Sequence, residues 1–238
     1  MNAAAIGFSR RDLRRIRVGM LGVLLPGVLS VIGLQLRGPI VDPEKFPDLF
    51  ATVSLSTTHY AAWSLLLPSL VIQCFGWLAL YHWLRDTAQE RLAFWGTMLS
   101  MGGNLLFLPS VGVLAFISAE AAGLYTAGNQ AALQIVVQGI QGPFALPFLM
   151  GSGLMLLAGV VLFTIVLWKS PKLPRWTAVP YLLHSLCLTI IAPQSYALER
   201  VGGLLLLIVS LAISIRVWRD TGAAIPAAAV ATNDVARG

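Results

Sequence analysis

The sequence contains few charged residues. Only 11% of its 238 residues are Asp, Glu, Lys or Arg, whereas 57% are hydrophobic and the mean hydropathy is +0.79. One soluble core cannot hide so much apolar side chain, so the surrounding solvent must be lipid. A span needs roughly 20 apolar residues to cross about 30 Å of hydrocarbon. We therefore predict an all-α, polytopic transmembrane helix bundle of about six spans, with no large soluble domain.

Cysteine is also scarce. Cys74 and Cys187 are the only two, and both fall inside apolar runs at different predicted depths, which argues against a disulfide between them. No Cys, His and carboxylate residues occur at a metal-ligand spacing. No two histidines share a predicted depth on different helices, as axial haem ligation would require. We predict neither a metal nor any other cofactor.

Acidic side chains are missing from the predicted spans. The carboxylates fall in loops or tails: Asp12, Asp42, Glu44, Asp48, Asp86, Glu90, Glu120, Glu199, Asp220 and Asp234. A proton- or sodium-coupled carrier usually keeps an ionisable group within the bilayer, because burying a charge there is costly. This distribution weakens the hypothesis of a coupled transporter.

The apolar runs predict the order of the chain. The spans are 18–36, 57–84, 92–118, a fourth that passes Pro143 and Pro147 to end at Trp168, then 173–192 and 201–217. Segment 37–56 is polar and broken by prolines, which is typical of a loop outside the membrane. We predict three regions: a basic cytoplasmic N-terminus at 1–17, the six-helix domain at 18–220 and a disordered cytoplasmic tail at 221–238.

Four glutamines recur before the fourth span, at steps of four, four and three: Gln130, Gln134, Gln138 and Gln141. This spacing places amides along one helical face. Segment 119–142 is therefore either an amphipathic helix on the outer surface or a re-entrant piece that leads into the fourth span.

The basic residues predict the orientation. On the predicted inner side lie Arg10, Arg11, Arg14, Arg15, Arg17, Arg85, Arg91, Lys169, Lys172, Arg175, Arg216, Arg219 and Arg237, whereas the outer side holds Arg37, Lys45 and Arg200. Such an excess marks the cytoplasmic side. Tryptophans fall at the same ends of the spans: Trp83, Trp95, Trp168, Trp176 and Trp218. We predict both termini in the cytoplasm and a bacterial inner membrane. Basic residues beside apolar runs are topology signals, so we predict no binding to nucleic acid.

Polar residues within the spans are the candidate ligand-binding site. His184 lies about 12 Å from the outer end of the fifth span, given 1.5 Å per residue. Gln73 and Asn104 lie near the middle of the second and third spans. Together with Gln138 and Gln141 these side chains could line an outward-facing polar pocket. Alternatively, they pair across helices and hold the bundle together.

Ser152, in Gly151-Ser152-Gly153, could share a depth with His184 and form a serine–histidine dyad. Six spans with a buried serine on the fourth resemble the rhomboid intramembrane proteases, whose motif is Gly-x-Ser-Gly. Here Met150 replaces the first glycine, the histidine comes one helix early, and the second span lacks the oxyanion asparagine pattern. The alternative is that the glycines beside Ser152 permit close helix packing.

The sequence Lys172-Leu173-Pro174-Arg175-Trp176 opens the fifth span. With the six spans and the long outer segment before the fourth, it resembles uncharacterised six-span bacterial membrane proteins of unknown function, and this resemblance implies no reaction. The leading hypothesis is a non-enzymatic accessory or interaction subunit that contacts membrane lipids, anionic lipid in particular, and other membrane proteins. The alternatives are a small-molecule or lipid permease with an outward pocket and a membrane-embedded serine hydrolase.

Overall fold

The structure is a computed structural model that describes residues 8–191 and 195–235, and no strand occurs in those ranges. The α-helices are α1 (Arg10–Gly19), α2 (Leu21–Arg37), α3 (Pro47–Ser54), α4 (Thr57–Leu84), α5 (Glu90–Gly112), α6 (Ser118–Thr126), α7 (Leu133–Gln141), α8 (Ala145–Lys169), α9 (Ala178–Leu186) and α10 (Tyr196–Val235). Short π-helical turns, Val113–Ile117 and Cys187–Ile191, follow α5 and α9. Single 3-10 turns, Gln130–Ala132 and Arg175–Thr177, precede α7 and α9.

Five stretches of the described residues are long and apolar enough to cross a membrane. They are Arg10–Arg37, Thr57–Leu84, Glu90–Thr126, Ala145–Lys169 and Tyr196–Ala223. The prediction of an all-helical membrane protein is confirmed to that extent. The fifth predicted span, 173–192, forms only the 3-10 turn, α9 and the π-helical turn, and residue 192 lies outside the described ranges. The total of six membrane spans therefore stays a prediction.

One end of the bundle, which we name the Lys172 end, joins the start of the chain to the connector before α9. The Lys172 amine donates to the Trp83 carbonyl oxygen at 3.0 Å, where α4 ends. The ring of Phe8 stacks on that of Trp83 with centroids 6.0 Å apart. The Trp218 indole donates to the carbonyl oxygen of Arg17 at 2.7 Å, which brings α10 to the same end.

The opposite end, which we name the Arg37 end, joins the last turn of α2 to the first turn of α10. Arg37 pairs with Glu199 there. The Tyr196 hydroxyl donates to the carbonyl oxygen of Leu34 at 2.9 Å. Helices α2 and α10 therefore run antiparallel, with their contacts at both ends of the bundle.

Glycines allow neighbouring helices to touch along their backbones. A Cβ placed on Gly76 of α4 would lie 2.6 Å from the nitrogen of Val23 in α2, and one on Gly159 of α8 would lie 2.8 Å from the nitrogen of Ser100 in α5. These distances leave no room for a side chain. Small residues at such crossings are the usual means of packing helices in lipid, where no hydrophobic force between helices exists.

The basic N-terminal region is itself helical from Arg10. Ser9 begins the helix through a capping box, because its hydroxyl accepts from the Asp12 nitrogen at 3.2 Å while the Asp12 carboxylate accepts from the Ser9 nitrogen. Leu13 and Ile16 are fully buried, and the arginines of α1 are exposed on the other face. The chain turns briefly at Met20 and continues as α2.

Short helices cover the Arg37 end. Helix α3 forms within the predicted loop 37–56, and the Tyr125 hydroxyl, at the end of α6, donates to its Asp48 at 2.8 Å. After a turn at Gly128, where φ is +101°, α7 buries Leu133 and Val136. With only 9 residues, α7 is too short to cross a bilayer.

The last helix extends beyond the predicted sixth span. Helix α10 continues to Val235, into segment 221–238, for which we predicted disorder. Residues 236–238 lie outside the described ranges. The cytoplasmic placement of this segment stays a prediction.

Candidate functional site

The structure brings two of the predicted site residues together. The Asn104 side-chain nitrogen donates to the Gln73 side-chain oxygen at 3.3 Å and to the Leu70 carbonyl oxygen at 3.1 Å. Asn104 is buried between α4 and α5. These bonds satisfy the donors of a buried amide, so the pair acts here as a polar contact between two helices.

Gln73 also lines a cavity of about 30 Å³ deep in the bundle, together with Trp77, Tyr181 and Ser210. This space is far smaller than the 300–1,000 Å³ typical of pockets for small molecules. The predicted polar pocket is therefore reduced to an amide pair beside a small void.

His184 and Ser152 each bond to their own helix. The His184 Nδ1 contacts the carbonyl oxygen of Tyr181, one turn earlier. The Ser152 hydroxyl donates to the carbonyl oxygen of Leu149 at 2.7 Å, and the Ser152 backbone faces Gly103 of α5. No hydrogen bond joins Ser152 to His184 within the described chain, so the contacts needed for a catalytic dyad are not formed there.

Gln138 and Gln141 are exposed on α7, at the Arg37 end. Neither shares a hydrogen bond with Asn104, Gln73 or His184 in the residues that the structure describes. The amide stripe thus lies on the face of α7 opposite the buried Leu133 and Val136.

A polar cluster that the sequence reasoning did not select lies at the Arg37 end. A half-open cavity of about 50 Å³ is lined there by Arg37, Pro39, Ile40, Val41, Phe50, Val53, Ser54, His59, Trp63, Leu114 and Ser118. The lining comes from α2, the following loop, α3, α4, the π-helical turn after α5 and the first residue of α6. We refer to this space as the Arg37 cavity.

Arg37, which lines the cavity, pairs with Glu199. Their side chains are only 9% and 5% exposed, so both charges are removed from water and need each other. Arg37 lies in the last turn of α2 and Glu199 in the first turn of α10. Each charge is therefore also stabilised by the dipole of its own helix.

Two side chains that line the cavity, His59 and Trp63, have a fully buried ring nitrogen. The His59 Nε2 and the Trp63 Nε1 are buried and make no hydrogen bond within the described chain. The Arg37 guanidinium carbon lies 5.9 Å from the centre of the Trp63 ring, within the range of a cation–π contact. The neighbouring π-helical turn, Val113–Ile117, is a distortion that is often found at functional sites.

The loop beside the cavity is acidic. Segment 38–56 contains Asp42, Glu44 and Asp48 against the single base Lys45. The backbone N–H of Glu44 donates to the Asp42 carboxylate at 2.9 Å, and this bond, supported by Lys45, lowers the pKa of Asp42 below its ordinary value. Segment 38–56 therefore has a formal net charge of −2.

A second buried charge occupies the Lys172 end. The Lys172 amine lies 4.9 Å from the centre of the Trp83 ring and 5.7 Å from that of Phe8. Burial lowers the pKa of Lys172, although Asp86 and Asp220 raise it in part. Through its hydrogen bond to Trp83, this amine holds the connector before α9 against the end of α4.

The sequence offered a faint signal for the Arg37–Glu199 pair. Arg37 directly follows an apolar run, and Glu199 lies two residues before the predicted start of the last one, yet both were assigned to loops. Groups of three or more His, Cys, Asp or Glu residues suited to a metal do not occur in the part of the chain that the structure describes. No protein-family model, no curated protein and no solved structure matches the chain.

Proposed function

We propose that the chain crosses a bacterial inner membrane six times, with the Lys172 end and both termini in the cytoplasm. Support for the sixth crossing comes from the ends of α9. Lys172 contacts Trp83 at one end of the bundle, whereas Glu199 contacts Arg37 at the other. The helical residues between them, Arg175–Ile191, rise about 26 Å at 1.5 Å per residue, close to the thickness of the hydrocarbon core.

Cysteine labelling tests this topology. In a chain with Cys74 and Cys187 replaced by alanine, we expect a membrane-impermeant maleimide to label Asn129→Cys and Ala197→Cys from outside spheroplasts. Ala88→Cys should react only after permeabilisation. If Ala197→Cys behaves like Ala88→Cys, segment 175–191 turns back and the chain crosses five times.

We infer that the protein is a non-enzymatic accessory or interaction subunit. The observation that carries this inference is the glycine-packed interior. The backbones of α2 and α4, and of α5 and α8, are in contact at glycines where a Cβ would not fit. A bundle joined in this way has little freedom to open a route for a solute, whereas it presents rigid apolar faces to a neighbouring helix.

Helix α8 is the best-supported face for such a neighbour. In its most apolar 18-residue stretch 28% of residues are buried, against 33–44% in the other candidate spans. Its exposed side chains include Phe148, Leu154 and Val161. An α-helix with this much uncovered apolar surface is covered by lipid or by another membrane protein.

Photo-crosslinking in the native membrane tests the interaction. A photoreactive amino acid at Phe148, Leu154 or Val161, in a protein expressed at its native level, should crosslink to one and the same protein. Val71 and Phe75 on α4, equally exposed to the membrane, serve as matched controls and should give lipid adducts only. Equal crosslinking from both helices, or lipid adducts from all five positions, would contradict the assignment.

The permease and hydrolase alternatives receive less support. The two cavities share no lining residue, and each is smaller than a ligand pocket. Ser152 and His184 are bonded to their own helices. A Ser152→Ala variant that abolished a hydrolytic activity of the purified protein would revive the hydrolase, and we expect no such activity.

A further inference from the structure

We propose that the outward face of α1 and the start of α2 bind an anionic phospholipid, which rests on the proposed membrane placement of the Lys172 end and names its lipid partner. The arginines of α1 are all exposed: Arg10, Arg11, Arg14, Arg15 and Arg17. None of them forms a salt bridge with a carboxylate in the described ranges. Cations gathered in this way on one short helix favour an anionic partner from outside the chain.

The apolar face of α1 is covered by the protein itself. Leu13 and Ile16 are each 1% exposed and belong to the core that also contains Trp83 and Val217. A basic amphipathic helix that lies on a membrane inserts such residues between the lipids. In α1 they are occupied by the bundle, so its exposed face offers charge to the membrane surface.

The helix continues almost unbroken from α1 into α2. The Met20 nitrogen donates to the carbonyl oxygen of Ile16, and the Met20 carbonyl oxygen accepts from the Leu24 nitrogen, both at 3.0 Å. The helical period is therefore kept across the junction. Side chains three or four positions apart share one side of this combined helix.

One side of the combined helix changes from basic to apolar. Arg11 is followed by Arg14 three positions later, and then by Val18, Leu21 and Leu25 at steps of four, three and four. The three apolar side chains are 66%, 42% and 39% exposed. We name these five residues the Arg14 stripe. Its apolar part faces the lipid chains, and its basic part lies directly next to them.

The spacing along the Arg14 stripe matches that of a phospholipid. At 1.5 Å per residue, Arg14 and Arg11 lie about 6 Å and about 10 Å from Val18 along the helix axis. The headgroup layer extends roughly 5–8 Å from the hydrocarbon core. An acyl chain packed on the apolar part therefore brings its phosphate to the height of the two guanidinium groups, which suit phosphate oxygens. A soluble phosphate compound would leave the apolar part unused.

The charges near the Arg14 stripe favour an anionic headgroup over a zwitterionic one. Asp12 accepts from the Ser9 hydroxyl at 2.7 Å, and two positions along a helix place it about 160° around from Arg14. Asp220 of α10 is paired with Arg216 at 3.0 Å. The ammonium group of a zwitterionic lipid would be repelled by the arginines, whereas an anionic headgroup meets only attraction.

Lipid photo-crosslinking tests the site in the full-length protein, in nanodiscs of phosphatidylcholine with a minor share of phosphatidylglycerol of the same acyl chains. A diazirine amino acid replaces Leu21, and mass spectrometry identifies the lipid adducts. We expect phosphatidylglycerol to be enriched about five-fold over its share in the nanodisc, the effect of one arginine at an anionic surface. Ile32, 45% exposed on the same helix near the Arg37 end, is the matched control and should give the bulk ratio.

Charge-matched variants localise the effect. Arg11→Gln combined with Arg14→Gln removes two charges from the Arg14 stripe and should remove most of the enrichment at Leu21. Arg91→Gln combined with Arg175→Gln removes the same charge from exposed residues of other segments and should leave the enrichment as it is. An unchanged adduct yield at Ile32 shows that α2 of each variant still lies in the bilayer.

Inorganic phosphate separates a lipid ligand from a soluble one. It should lower the enrichment no more than sodium chloride of equal ionic strength, which screens the charges. The proposal is overturned if phosphate removes more, if Leu21 and Ile32 give the same ratio, or if both double variants lower the enrichment equally. Both leaflets of the nanodisc have one composition, so these outcomes do not depend on orientation. A reversed topology or an α8 face without a partner would contradict the proposed function and leave this result intact.

Discussion

The two ends of the bundle bury charge in different ways. At the Lys172 end one amine is held by a backbone carbonyl and two aromatic rings, and no carboxylate among the described residues is bonded to it. At the Arg37 end a guanidinium and a carboxylate neutralise each other beside a cavity. The first arrangement keeps a positive charge where basic residues are concentrated, and the second cancels charge where the loop is acidic. The Lys172 end therefore holds a single charge through a hydrogen bond and ring contacts, whereas the Arg37 end holds a neutralised pair.

The first and largest test removes one half of the ion pair. Arg37→Met leaves Glu199 buried without a partner, and we expect a loss of about 3–5 kcal/mol in the free energy of unfolding. Reversible unfolding in bicelles would measure it. The double variant Arg37→Met, Glu199→Met leaves no unpaired charge at the Arg37 end and should return close to the parent. A single variant as stable as the double one would show that Glu199 is solvated and that the Arg37 end is not a closed site.

The second test concerns the backbone contact between α2 and α4, which lies between the two ends of the bundle. Gly76→Ala would place a Cβ 2.6 Å from the nitrogen of Val23, and the backbones must separate to accept it. We expect a loss of about 1–3 kcal/mol in unfolding free energy, the usual cost of overpacking. Gly112→Ala is the matched control, because nothing lies within 4 Å of its Cβ. Equal effects in the two variants would mean that α2 and α4 are not in backbone contact.

The third test removes the amine at the opposite end. Lys172→Met retains the aliphatic chain but leaves the Trp83 carbonyl without its donor, and we expect a loss of about 1.5 kcal/mol at neutral pH. Asp86→Asn is the control, since Asp86 is exposed and only affects Lys172 through its charge. An unchanged free energy of unfolding in Lys172→Met would mean that the hydrogen bond from Lys172 to Trp83 does not stabilise this end of the bundle.

The pKa of Lys172 adds a pH dependence to the same comparison. Burial lowers the folded-state pKa below the ordinary value of 10.5, so the unfolded chain binds more protons between those two values. Stability should therefore rise with pH within that window and be constant with respect to this group below it. The difference between parent and Lys172→Met, measured from pH 8 to about 10.5, isolates the effect from other titrating groups. A difference that falls with pH would have the wrong sign.

The sequence predicted the membrane class because hydropathy is a property summed over many residues. The second span was predicted at 57–84, the bounds of α4, and the predicted end of the fourth span at Trp168 lies one residue before the end of α8. Long apolar runs have few alternative interpretations. The fifth predicted span, 173–192, instead contains a short α9 flanked by a 3-10 turn and a π-helical turn. Hydropathy detects a crossing by its length and does not register such distortions.

The candidate site depended on which side chains meet, and spacing does not determine that. Gln73 and Asn104 did pair, because both lie at mid-span on consecutive antiparallel helices. His184 and Ser152 did not, because each bonds within its own turn. Arg37 and Glu199 lie 162 positions apart and were treated as loop charges. Only the antiparallel contact of α2 with α10 makes them a pair.

The smallest test concerns the tryptophans at the Lys172 end. We predicted that five of them face the headgroups, but Trp83 is fully buried beneath Phe8 and Lys172, whereas Trp95, Trp168 and Trp176 are more than half exposed. Trp176→Phe should therefore change the unfolding free energy by no more than about 0.5 kcal/mol, because its ring remains at the interface. Trp83→Phe should lower the unfolding free energy by more, because a smaller ring leaves a void against Phe8 and weakens the contact with the Lys172 amine.

Fluorescence quenching by lipids brominated at different depths would check the placement of the two rings, with strong quenching for Trp176 and little for Trp83. Equal quenching of the two would mean that Phe8 does not cover α4 in the membrane, and the Lys172 end would then lose the aromatic contact that distinguishes it from the Arg37 end.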